Sequence, residues 1–163
     1  RIYGFRMPFF RKVDLSVLKA AGFSYDSSIN PTYIPGRYNN LTAHREIYHD
    51  TRSDMVEIPV SVSPLIRFPL SWLSFKNIPF PIYLFLCKMA IRKDSYLNLY
   101  FHPWEFAELD SFKIPWYVKT LSGNALSARF EKLITELGKT GSFSTISGFL
   151  DRTGFQKTNP AQK

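Results

Sequence analysis

The sequence predicts an α/β fold in which parallel strands are flanked by helices. Three observations carry that class. A strand, a helix and a second strand follow one another within residues 2–27, the order of a βαβ unit, whose two strands run parallel. Residues 55–62 alternate apolar and polar, the period of a strand. Residues 125–137 place apolar side chains at helical spacing, the mark of a helix with one buried face.

Each element has a local reason. Ile2 to Arg6 reads as the first strand. Asp14 is a good N-cap for a helix over Leu15 to Ala21, and Gly22 is a good stop. Phe23 to Ser27 returns to an extended pattern. Asn30 to Ser53 is polar, contains Pro31, Pro35 and Gly36, and holds no sustained period, so a long surface excursion is expected; such loops are often functional. In the next strand Val56, Ile58, Val60 and Val62 face one way and Met55, Glu57, Pro59 and Ser61 the other. Pro59 has no N–H, which predicts an edge or a bulge there. Pro64 to Pro81 is broken by prolines and predicts short turns. Ile82 to Lys93 is expected to be a buried helix, and Leu97 to Phe101 a further strand. Trp104 to Ser122 reads as irregular. The stripe Leu126, Phe130, Leu133, Ile134 and Leu137 predicts a helix over Ala125 to Leu137, ended by Gly138. Ser142 to Ile146 predicts a short strand or cap before a last helical turn, Ser147 to Arg152. One domain over residues 1–155 and a disordered tail over 156–163 are expected.

Composition narrows the class. The chain has 163 residues, is 45% hydrophobic and carries 17% aromatic residues, which suits one domain with a real core. Rings at that density pack cores, and they also stack on sugars. The formal charge is +8, which suits a solvated basic surface or attraction to an anionic polymer or membrane face. No recognition helix, zinc finger or basic zipper appears, so nucleic acid is not expected as a partner. The single cysteine, Cys87, excludes an internal disulfide and a cysteine metal cluster; a small buried apolar role is expected. There is no Gly-rich phosphate loop and no nucleophile elbow. No signal peptide is visible, which permits a cytoplasmic or cell-envelope location. The apolar run Ile82 to Ile91 is too short to span a bilayer. The first residue is Arg rather than Met, so a piece of a longer protein is expected.

Two junctions carry chemistry. In Tyr100-Phe101-His102-Pro103-Trp104-Glu105 an apolar run ends abruptly in an imidazole, an indole and a carboxylate. Titratable groups at a strand end are how barrel enzymes present catalytic residues, and an imidazole gives and takes a proton near neutral pH. In Gly4-Phe5-Arg6-Met7-Pro8 a guanidinium sits among apolar neighbours and needs an acceptor. Asp26 ends the second strand. His44 and His49 have a His-x4-His spacing in a polar loop, where separate surface histidines are the expectation.

Gly4-Phe5-Arg6-Met7-Pro8, Tyr25-Asp26-Ser27-Ser28-Ile29, Val56-Glu57-Ile58-Pro59-Val60-Ser61 and Leu99-Tyr100-Phe101-His102-Pro103-Trp104-Glu105 occur in this order. The ordered set, together with Phe143-Ser144-Thr145 after a long helix, resembles the C-terminal half of the polysaccharide deacetylase catalytic domain, over roughly residues 1–150. The resemblance implies a partial distorted (β/α) barrel without its N-terminal strands. It implies removal of acetyl groups from N- or O-acetylated sugars by a divalent metal, usually zinc, that activates water. Arg6 matches the arginine that fixes the catalytic base. His102 matches the acid of the L-x-x-H motif, and Leu99 the leucine lining the acetyl-methyl pocket. Asp26 matches a fourth motif only loosely, because Ser28-Ile29 replaces its usual ending. Trp104 stands where a ring could bind substrate.

The departures weigh as much as the matches. In that family the base and the metal ligands precede the arginine motif, and none of the 3 histidines here takes a ligand position. The chain alone is therefore expected to hold no metal and to be inactive. Two alternatives stand beside this reading. One is a non-catalytic carbohydrate-binding or scaffolding module, suggested by Trp72, Trp104, Trp116 and Tyr117. The other is a basic binder of anionic polymers or membrane surfaces. A polysaccharide or oligosaccharide is the expected partner. An open barrel edge at Ile2 to Arg6 predicts self-association as well.

Overall fold

A computed structural model describes residues 2–155. The strands are β1 (Gly4–Phe5), β2 (Tyr25–Asp26), β3 (Tyr33–Ile34), β4 (Tyr38–Asn39), β5 (Tyr48–Asp50) and β6 (Met55–Glu57). The helices are α1 (Leu15–Ala20), α2 (Trp72–Asn77), α3 (Phe80–Asp94), α4 (Trp116–Lys119), α5 (Gly123–Gly138) and α6 (Ile146–Thr153), with 3-10 turns at Pro8–Phe10 and Pro103–Phe106. The described residues fall into two compact units. One runs to Val60 and resumes at Phe143; the other is Ser61–Ser142.

The first unit is built on a four-stranded sheet in the order β1-β2-β6-β5. β1, β2 and β6 are parallel, and β5 runs antiparallel to β6. The strand–helix–strand order therefore does give parallel neighbours. Asp14 caps α1 by accepting from the Ser16 N–H at 2.9 Å. Gly4 is required by packing: a Cβ there would lie 2.0 Å from the Tyr25 ring in the neighbouring strand. The register pairs Phe5 with Asp26 and Asp26 with Glu57, which sets those two carboxyls side by side. A two-stranded hairpin of β3 and β4 turns at Gly36, whose φ is +73°. Leu18, Met55, Val56, Ile58, Val60 and Leu150 are buried.

The second unit is helical. Leu70, Phe75, Tyr83, Cys87, Ala90, Leu126, Leu133 and Leu137 form one buried cluster. Phe130, Leu97, Leu99 and Phe101 pack against it. Cys87 is a buried free thiol, as its apolar context predicts, and burial pushes its pKa up to about 12. Gly123, at the start of α5, has φ +55°, and a Cβ there would meet Glu108 Oε1 at 1.9 Å. No helix among the described residues is long and apolar enough to cross a membrane.

Several expectations are corrected. The parallel strands and flanking helices are present as expected, but β5 makes the sheet mixed, and among the described residues the sheet stays open. β1 is two residues long, not the five of Ile2 to Arg6. The polar stretch 30–53 holds three short strands. The ladder of β6 ends at Glu57, and residues 55–63 are buried on both faces instead of one. That follows from its place between β2 and β5 in a largely parallel sheet, the kind that is usually covered on both sides. The proline-broken segment holds α2, capped by Ser71. Residues 97–101 are extended but join no ladder; the Ser61 N–H donates to the Asn98 carbonyl at 2.9 Å. The region 104–122 holds a 3-10 turn and α4. Ile134 lies at the rim of the α5 stripe and is exposed. Residues 142–145 are not a strand, and Thr145 caps α6. The expected tail, 156–163, lies outside the described residues.

Candidate functional site

In the second unit, the chain leaves the extended segment 97–101 at His102 and enters the turn Pro103–Phe106. Pro103 is pre-set for the first position of a helical turn and has no N–H to lose. Three residues on, Glu105 comes back under His102. Its Oε1 accepts the His102 backbone N–H at 3.0 Å and lies 2.5 Å from His102 Nδ1. The two partners differ sharply in exposure: the His102 side chain is 43% exposed and that of Glu105 0%. Glu105 Oε2 is buried without a hydrogen-bond partner. Burial raises the Glu105 pKa, while the hydrogen bonds from His102 and the charge of Lys76 oppose the rise. Burial also lowers the Lys76 pKa, opposed by the charge of Glu105. Lys76 Nζ donates to the Val118 carbonyl at 2.6 Å and lies 5.8 Å from the Trp72 ring centroid.

Aromatic rings frame the imidazole. Trp104 stacks on it with centroids 5.7 Å apart and planes 24° from parallel. Trp72 and Tyr100 present edges to it, each at 5.8 Å. Trp72 and Trp104 also meet edge to face at 5.3 Å. The Trp104 ring is half exposed. The result is a half-exposed imidazole beside a half-exposed indole. Leu99 packs against the helical core cluster.

The first unit carries a separate polar cluster. Arg6 Nε donates to the Ser27 carbonyl at 2.9 Å, and its Nη2 to Ser27 Oγ at 2.7 Å. The Ser27 hydroxyl in turn donates to the Ile58 carbonyl at 2.6 Å. Asp26 accepts from the Ser28 N–H at 3.0 Å and from the Ser28 hydroxyl at 2.7 Å. Asp26 and Glu57 are each 1% exposed. Burial, then the charge of Asp26 and a hydrogen bond to it, push the Glu57 pKa up to about 8. The Ile29 N–H, donated to Glu57 Oε1 at 3.3 Å, and the Arg6 charge pull the other way. Burial, with Glu57, Asp50 and Asp26 nearby, pushes the Tyr48 phenol up to about 12. Asn30 Nδ2 donates to the Tyr38 hydroxyl at 2.9 Å.

Of the residues singled out in the sequence, Arg6 and Asp26 therefore share the first unit's cluster, Arg6 bonding Ser27 and Asp26 bonding Ser28. His102 and Trp104 are in ring contact in the second unit. The histidines of the polar loop behave as separate groups: His44 packs on Tyr48, with ring centroids 4.9 Å apart, and His49 pairs with Asp54 at 3.0 Å. Two residues were missed. Glu105 could have been found from its spacing, because a carboxylate three residues after a turn's first residue reaches back to it. Glu57 gave no signal, since its alternation placed it on a solvent face. No group of three His, Cys, Asp or Glu among the described residues could hold a metal ion.

A family model described as a domain of unknown function (DUF3473) matches residues 27–151, more than half of the chain. The matched span contains Glu57, Leu99, His102, Trp104 and Glu105, and leaves Arg6 and Asp26 outside. No curated protein and no solved structure matches the chain.

Proposed function

The chain belongs to the DUF3473 family, and from that premise we propose that it forms part of a metal-dependent hydrolase that removes acetyl groups from N- or O-acetylated polysaccharide. The observation that carries the reading is the His102–Glu105 pair: a half-exposed imidazole tied at Nδ1 to a buried carboxylate, with an indole stacked on it. In this reading His102 protonates the departing amine or alkoxide. Trp104, with Trp72 beside it, offers the flat apolar surface on which a pyranose ring stacks. Arg6, in the first unit, is taken as a group that positions a base, and Leu99, in the second, as part of the wall around the acetyl methyl. The reading takes the parallel strands β1, β2 and β6 as part of a distorted (β/α) barrel.

The divalent metal implied by this chemistry, zinc in the first place, would polarise the acetyl carbonyl and activate water. The described residues do not fit it. Asp26 is engaged by Ser28 and Glu57, Glu57 holds its proton to about pH 8, and His102 has only Glu105 as a neighbouring donor. No step is therefore derived through a metal. The reading assigns the metal ligands and the base to residues other than these, and the 163-residue chain is proposed to be inactive by itself.

The test is acetate release from acetylated oligosaccharides by the full protein that carries this chain. His102→Gln is expected to lower the rate by about 10²–10⁴-fold, the range supplied by a positioned general acid. Release that is absent, or unchanged in H102Q, would overturn the assignment. The open Trp104 face also favours a second reading, a non-catalytic carbohydrate-binding module. That reading predicts tryptophan fluorescence changes on oligosaccharide titration that persist in H102Q and vanish in Trp104→Ala.

A further inference from the structure

We infer that Glu105 is the positioning residue for His102: its buried carboxylate holds the ring with the proton on Nδ1, leaving Nε2 as the nitrogen that meets the substrate. The inference deepens the proton-transfer reading above and rests on it for its catalytic meaning, although its test does not use turnover. With Glu105 ionised, the geometry leaves one consistent proton arrangement. Glu105 Oε1 already accepts the His102 backbone N–H. A proton placed on Nδ1 lets the same oxygen accept a second bond, and a lone pair on Nδ1 would instead face that oxygen. The stacked Trp104 and the edges of Trp72 and Tyr100 leave the ring little room to turn away. Among the described residues, the hydrogen bonds of His102 are made by its backbone N–H and Nδ1, and none by Nε2. Asp26, the other carboxylate the sequence singled out, has its own hydrogen bonds to Ser28 and to Glu57.

A purely structural role does not explain a carboxylate here. Capping the turn needs one acceptor oxygen, which an amide supplies as well. A fully buried carboxylate with an orphan Oε2 carries a desolvation penalty that a neutral group avoids. The charge of Lys76 reaches it, but the Lys76 ammonium donates its hydrogen bond to the Val118 carbonyl instead.

The experiment is long-range ¹H–¹⁵N correlation of the histidine rings on the intact chain. In the wild type, the neutral His102 ring is expected to show a protonated Nδ1 and an unprotonated Nε2. Glu105→Met, an apolar replacement of similar size, is expected to turn that single tautomer into a mixture. Glu105→Gln, which keeps the acceptor oxygen and loses the charge, is expected to leave Nδ1–H the major tautomer with a smaller excess than the carboxylate gives. An Nε2–H ring in the wild type would overturn the inference whether or not any variant folds, and so would a folded E105M with the wild-type pattern. If instead the spectra behave as expected and H102Q releases acetate at the wild-type rate, the positioning stands and the catalytic reading falls.

Discussion

Glu57 and Asp26 sit side by side on adjacent parallel strands, both almost fully buried from water, and that pairing has a measurable consequence. A carboxyl whose pKa rises from an ordinary 4.5 to about 8 is held neutral by the fold. Unfolding between those two values releases a proton, so stability falls as pH rises through that window. The full contribution is present below pH 4.5 and is lost as pH rises through about 8. Glu57→Gln keeps an acceptor for the Ile29 N–H and offers Asp26 a donor that does not titrate. Urea denaturation at pH 5 and pH 8 should therefore show E57Q more stable than the wild type at the higher pH and close to it at the lower. Equal curves at pH 8 would mean that Glu57 ionises freely and that the pair is not buried as described. His102 was legible in the sequence because a titratable group stood out at the end of an apolar run. Glu57 was not, because alternation distinguishes faces only when one of them is wet, and β6 has two dry ones.

At the scale of elements, α1, α3 and α5 and the parallel β1–β2 pair were legible, while α2, α4 and the remaining ladders were not. A helix satisfies its own backbone, so the stripe on α5, the Asp14 cap of α1 and the Thr145 cap of α6 each report on a local structure. A strand is completed by a partner that may be far away in the chain. Residues 97–101 show the difference: Leu97, Leu99 and Phe101 do project together onto the helical core, as their alternation indicates, yet no neighbouring strand hydrogen-bonds them into a sheet. Period-2 patterning therefore reported an extended backbone and not a ladder. The three short strands between residues 30 and 53 were hidden for the converse reason, since each is two or three residues long, too short to establish a period. The α5 stripe can be tested by a matched pair. Leu133 is fully buried and Ile134 is 36% exposed. Leu133→Ala should cost about 2–5 kcal/mol through lost contacts and a residual cavity. Ile134→Ala should change stability much less, on the order of 0.5 kcal/mol. Chemical denaturation that gave the two the same loss would mean the buried face of α5 is misassigned.

For the molecule as a whole, association and charge pull in opposite directions. β1 lies at one edge of the sheet, and Ile2, Tyr3 and Phe9 around it are exposed apolar side chains. An apolar sheet edge is a template for a second chain. A net charge of +8 repels that second chain at long range, with a reach set by salt: about 30 Å at 0.01 M and about 10 Å at 0.1 M. Edge pairing and apolar contact act only at short range and are not screened. Added salt should therefore strengthen self-association, the opposite of what it does to an anionic polymer held by the same charge. Sedimentation velocity across a concentration series is expected to show a dimer that grows as salt rises from 0.01 to roughly 0.1 M. Ile2→Lys, which puts a charge on the apolar edge, should return it to monomer. A wild-type chain that stays monomeric throughout would show that the β1 edge recruits no second copy, and the exposed side chains around it would then be ordinary surface.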